Sequence, residues 1–148
     1  MPHVLVRIDP SGRRFAVDRL PRGGYVVEDV DEGRRLGALR GDLTPFIVSV
    51  GGAPHIICAG EQYDRATHHV FIDFHDGEPP EMCLVKHGVW LTAAHRFTPG
   101  MRVTASWHDS TDRELWRQQS PPLDADAPAP MYGPEWFRYE LGESPPSR

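Results

Sequence analysis

Apolar and polar residues alternate one by one through most of the chain up to His108, and a period of two is the signature of half-buried β-strands. Val4, Val6 and Ile8 fall on one side of the opening segment, with Leu5, Arg7 and Asp9 on the other. Pro10-Ser11-Gly12 is a turn cluster, after which Phe15 and Val17 resume the alternation, so the segment predicts a hairpin. Gly23-Gly24 opens a strand over 25–30, Asp31-Glu32-Gly33 turns the chain, and 34–40 returns. Phe46 to Val50 and His55 to Ala59 are nearly continuous apolar runs rich in β-branched residues, which predicts central strands. His69, Phe71, Asp73 and His75 then alternate with Val70, Ile72 and Phe74. Met82–Val85 and Val89–His95 are expected to pair as a hairpin about Lys86-His87-Gly88, and Met101 to His108 is the last strand. Nine or ten short strands with no amphipathic helices between them predict a mainly β chain, an antiparallel β-barrel or β-sandwich.

The pattern changes after Asp109. Thr111-Asp112-Arg113-Glu114 has the spacing of a capping box, so a short helix is expected, ending near Gln119 because Pro121-Pro122 cannot continue it. Residues 120–134 are proline-rich, which favours extended chain, yet Tyr132, Trp136, Phe137, Tyr139 and Leu141 follow closely. So much aromatic surface is costly to leave in water. The expected organisation is a β-rich domain over 1–119, a proline-rich linker over 120–134 and an aromatic C-terminal arm over 135–148. The arm is expected to dock, either on its own open sheet edge or on a second copy of the chain or another partner.

Composition narrows the class. At 148 residues, 39% hydrophobic and 25% charged, the chain is long enough for one core without covalent staples. Cys58 and Cys83 each lie in an apolar run and are expected to be buried and reduced. The net charge of −5 is spread without a basic face, since Arg13-Arg14 and Arg34-Arg35 are answered by Asp9, Asp18, Asp31 and Glu32, so no nucleic-acid partner is expected. The first residues show no basic leader before an apolar stretch, and Pro54 and His55 interrupt the longest weakly charged segment, Phe46 to Gly60. No membrane segment and a cytoplasmic location are the expectations.

Seven of the eight histidines lie between His55 and His108, which makes acid–base or metal chemistry the first candidate. On a strand, Asp73 and His75 share a face about 6.6 Å apart, whereas His69 is about 13 Å from Asp73. If the polar faces line a barrel interior, Asp73, His75, His95 and His108 converge as catalytic residues, with Phe71, Trp90, Arg102 and Trp107 facing the ligand. The opposite reading places Asp73, His75 and their neighbours on a solvated sheet face packed from behind by Val70, Ile72 and Phe74. The chain has no His-x-His pair, no Cys-x-x-Cys pair and no His-Glu-x-x-His helix, and adjacent His68 and His69 on a strand would point to opposite faces. Neither a metal nor any other cofactor is therefore expected.

Trp90-Leu91-Thr92-Ala93-Ala94-His95 resembles the segment that carries the catalytic histidine of trypsin-like serine proteases. That resemblance would require a nucleophilic serine in a glycine-rich turn and room for two barrels, and Ser106, Ser110 and Ser120 have no such context. The expected function is a small-molecule-binding β-barrel, acting as a metal-free lyase, cyclase or isomerase through side-chain acid–base chemistry. A non-enzymatic protein-interaction or assembly protein that docks through its aromatic arm, with homo-oligomers formed through Tyr132, Trp136, Phe137 and Tyr139, remains open beside it, so the residues alone do not decide whether the chain is an enzyme.

Overall fold

A computed structural model describes residues 3–124. Those residues form twelve strands: β1 (Leu5–Ile8), β2 (Arg14–Arg19), β3 (Tyr25–Asp29), β4 (Arg34–Ala38), β5 (Thr44–Val50), β6 (Ala53–Glu61), β7 (His69–Asp73), β8 (Glu81–Leu84), β9 (Val89–Leu91), β10 (His95–Arg96), β11 (Thr104–His108) and β12 (Glu114–Gln119). They make three antiparallel four-stranded sheets. The first has the order β1-β2-β3-β4; the second joins β5, β9 and β10 to β6; the third has the order β12-β11-β7-β8. None closes into a barrel, and the arrangement is sandwich-like. No helix among the described residues is long and apolar enough to cross a membrane.

The second sheet is the middle layer, and β6 shows why. Ile56 and Cys58 pack with Val70, Ile72, Ala105 and Trp107 of the third sheet. Ile57 and Ala59, which point the other way, pack with Phe15, Val17 and Val27 of the first. A strand covered on both faces must be apolar at successive positions, so this packing accounts for the unbroken runs around β5 and β6. Packing within this sheet is close at Gly60. A Cβ there would lie 1.7 Å from the Asp42 carbonyl oxygen and 2.7 Å from the Trp90 ring, so only glycine fits. Next to it, the Glu61 carbonyl accepts hydrogen bonds from the indole N–H groups of both Trp90 and Trp107, each at 3.0 Å.

Several expectations need correction. The segment after Asp109 is strand β12, not a helix. One Asp109 carboxylate oxygen accepts from Thr111 N, Thr111 Oγ1 and Arg113 N, and Asp112 adopts φ +66°, so the presumed cap residues form a tight turn between β11 and β12. The turn at Lys86–Val89 exists, but its arms do not pair with each other along their length: β8 joins β7, whereas β9 joins β6. The pairing with β6 is broken between β9 and β10 at Thr92: its N–H still reaches the Cys58 carbonyl at 2.9 Å, but Cys58 N donates to the Thr92 hydroxyl, at 3.0 Å, rather than to its carbonyl. On β1 it is Leu5 that packs into the core, while Val6 and Ile8 face outward at 41% and 62% exposure. The first residues of the expected linker are part of the fold: Ser120 N donates to Val103 O, and Leu123 is fully enclosed. The aromatic arm, 135–148, and the rest of the linker lie outside the described residues.

Candidate functional site

The four expected catalytic residues do not converge. Strand register pairs Thr104 with Asp73 and His108 with His69, so Asp73 and His108 lie at opposite ends of the same two strands. Four residues along a strand span about 13 Å. Asp73 accepts a 2.8 Å hydrogen bond from His75 N, and His75 Nε2 lies 2.8 Å from Thr104 Oγ1 in an exposed corner. His95 belongs to the middle sheet and meets the segment after β7 through Phe74 and Asp76, not through Asp73 or His75. Val70 and Ile72 fill the core behind them, so Phe71, Asp73 and Ser106 occupy the outer face of the third sheet. Of the expected ligand-facing residues, Trp90 and Trp107 are fully buried, Arg102 is exposed, and Phe71 is half-buried between His69 and His108. The tryptophans could not face a ligand because their indoles fill the gap between layers.

His95 has the most elaborate surroundings. Its ring stacks on Phe74 with centroids 3.8 Å apart, and Nε2 donates to Glu81 Oε1 at 2.7 Å. Nδ1 lies 3.6 Å from Asp76 Oδ2. The other Glu81 oxygen, Oε2, takes an N–H from Ala93 at 3.0 Å and the Arg7 guanidinium at 2.6 Å. One carboxylate on β8 thus holds a group from β1 and two from the segment spanning β9 and β10, uniting all three sheets. Burial works against the charged imidazole, but the Glu81 hydrogen bond and the charges of Glu81 and Asp76 outweigh it, holding the His95 pKa above the ordinary histidine value. An open cleft of about 560 Å³ runs past this cluster, with Ile8, Pro10, Pro79, Ala93 and Ala94 as apolar walls and Arg7, Glu81 and His95 as its polar floor.

No family model, curated protein or solved structure matches this chain. The chemistry of the site therefore stands on its residues alone.

Glu81, Arg7 and Asp76 were not singled out from sequence, because each is distant along the chain and no spacing links them to His95. The cysteines are free and buried, and burial raises both thiols, which disfavours the thiolate that nucleophilic attack needs. A second polar cluster stands on the outer face of the third sheet. His69 Nε2 lies 2.8 Å from Asp112 Oδ1, and His108 Nδ1 lies 3.3 Å from the same oxygen. His68 is not turned away from His69 as strand alternation requires: their Nδ1 atoms are 2.8 Å apart, since His68 precedes β7 and escapes its pleat.

Proposed function

We propose that the protein binds a small, largely apolar molecule with a carbonyl or carboxylate head in the cleft beside His95, and that His95 moves a proton on it. The observation that carries this reading is a histidine fixed at one nitrogen by a carboxylate at the floor of an open apolar cleft. Arg7, with N–H groups beyond the nitrogen that meets Glu81, suits an acceptor head, while Asp9 and Glu78 at the rim favour one that is small or uncharged. With Nε2 held by Glu81, Nδ1 is the nitrogen available for exchange, and Asp76 is near enough to pass the proton outward. Proton transfer next to a carbonyl is a step shared by isomerases and lyases. Glu81 acts as a positioning residue for His95.

A screen of small keto acids, aldehydes and aromatic carboxylates by protein-observed NMR tests the reading. Binders should shift Arg7, Ala93, Ala94 and His95 amides, and His95→Gln should weaken them at least tenfold while the melting temperature moves by only a few degrees. Shifts confined to other surfaces, or unfolding of His95→Gln, would make the cluster a structural clasp.

A second reading is assembly. Val6, Ile8, Met82 and Leu84 are large apolar side chains left exposed on two sheets. The aromatic arm of a second copy, through Tyr132, Trp136, Phe137 and Tyr139, is the occupant this reading assigns. A dimer in light scattering that becomes monomeric in Trp136→Ala/Phe137→Ala supports it; a monomeric parent protein refutes it.

A further inference from the structure

The geometry points to a divalent transition-metal site of the zinc type, formed by His69, His108 and Asp112 on the outer face of the third sheet, separate from the His95 cleft. The donor atoms His69 Nε2, His108 Nδ1 and an Asp112 carboxylate oxygen lie within 4.8 Å of one another. A tetrahedral ion with bonds of about 2.0–2.2 Å spaces its donors about 3.4 Å apart. The 2.8 and 3.3 Å separations from Asp112 must open slightly to admit one, and the two imidazoles, stacked at 10° with centroids 5.4 Å apart, must turn so that both ring planes meet the ion. Two imidazoles and one carboxylate suit a borderline divalent cation, and the exposed side of the cluster leaves a fourth position for water or a ligand.

Both histidines are also held as metal ligands require. A ligating imidazole offers one bare nitrogen and donates its other N–H to a fixed acceptor. His69 has His68 Nδ1 at 2.8 Å from its Nδ1, and His108 has Ser106 Oγ at 2.9 Å from its Nε2. With protons on those outer nitrogens, the lone pairs of His69 Nε2 and His108 Nδ1 both face Asp112. The Asp112 carbonyl oxygen, 3.2 Å from His108 Nδ1, is one more oxygen near the same point. His69 itself is buried, with 6% exposure, and wedged at right angles against Phe71.

A comparison within the molecule supports the assignment. Asp9-Pro10-Ser11-Gly12-Arg13 and Asp109-Ser110-Thr111-Asp112-Arg113 make the same turn, with one aspartate oxygen accepting from two backbone N–H groups and a hydroxyl. The left-handed position is filled by Gly12 in the first, at no steric cost, and by Asp112 in the second, with φ +66°. The second hairpin accepts backbone strain at the one residue whose carboxylate reaches both histidines.

The test uses the full chain, prepared without a histidine tag and stripped of metal, titrated with Zn²⁺ by calorimetry and with Co²⁺ by visible absorption. One equivalent should bind with micromolar or tighter affinity, and Co²⁺ should give the intense visible bands of a four-coordinate site. Asp112→Gly restores the residue found in the first hairpin, so it should fold as well as the parent while losing at least tenfold in affinity; His108→Gln should lose a similar factor. Absence of binding at millimolar metal would overturn the proposal. So would unchanged affinity in both variants, which would place the ion elsewhere, for instance at the cluster of His3, Asp18 and Glu28.

Discussion

At the scale of single residues, Gly60 and His95 carry the sharpest expectations. Any side chain at Gly60 must displace the Asp42 backbone or the Trp90 ring at the centre of the fold. Overpacking of this kind costs about 1–3 kcal/mol and more where backbone is struck, so Gly60→Ala should lower the free energy of unfolding in urea by at least about 3 kcal/mol. For His95 the sign follows from linkage. Its folded pKa lies above the unfolded value of 6.5, so its contribution to stability is complete below 6.5 and fades as pH rises through the higher folded midpoint. The parent protein should lose stability across that interval by an amount that His95→Gln does not lose. NMR titration of the imidazole should show the raised midpoint, and Glu81→Gln should bring it down. Neither residue announces itself in the sequence as what it is. His95 was legible as a titratable group on a strand, but its partners Arg7, Asp76 and Glu81 come from distant segments whose meeting depends on sheet stacking, which no local period encodes.

At the scale of elements, the two matched hairpins invite a direct comparison. Asp9 and Asp109 each use one carboxylate oxygen to fix a turn, so Asp9→Ala and Asp109→Ala should each cost about 1–2 kcal/mol in chemical denaturation. Loss of helical signal would be expected had 111–119 been a helix; instead the far-ultraviolet circular dichroism of both variants should keep the β signature of the parent. The mistaken helix is instructive. Thr111 and Glu114 have capping-box spacing, yet Asp109, two residues before Thr111, takes the Thr111 N–H that Glu114 would have bonded and the Arg113 N–H with it, closing a hairpin, and Leu115 and Trp116 are too few to define a helical stripe. Strand existence and the buried status of β5 and β6 were legible because period and apolar continuity are local. The partner of each strand was not, and the Lys86–Val89 turn shows why: a tight turn fixes the reversal of the chain without fixing which sheet each arm joins.

At the scale of the whole molecule, three layers share one middle sheet, and the last described residues help to close it. Leu123 is enclosed in the larger core cluster, and Ser120 exchanges hydrogen bonds with Val103. A chain ending at Gln119 should therefore melt well below one ending at Asp124, since removal of a buried leucine side chain alone costs about 2–5 kcal/mol. Equal melting temperatures would show that these residues add nothing to the fold. The middle sheet also imposes an order on synthesis. Its strands are drawn from 44–61 and 89–96, so the first sheet, although complete in sequence by Ala38, meets Val89 and Leu91 of its core only after β9 has been made. As the chain leaves the ribosome, β5 and β6 can lay Phe46, Val48, Ile57 and Ala59 on the face of Phe15, Val17 and Val27, but that core stays open at the positions of Val89 and Leu91 until β9 follows, and a pause in translation before β9 would prolong the exposure of the unfinished face to chaperones and to other nascent chains.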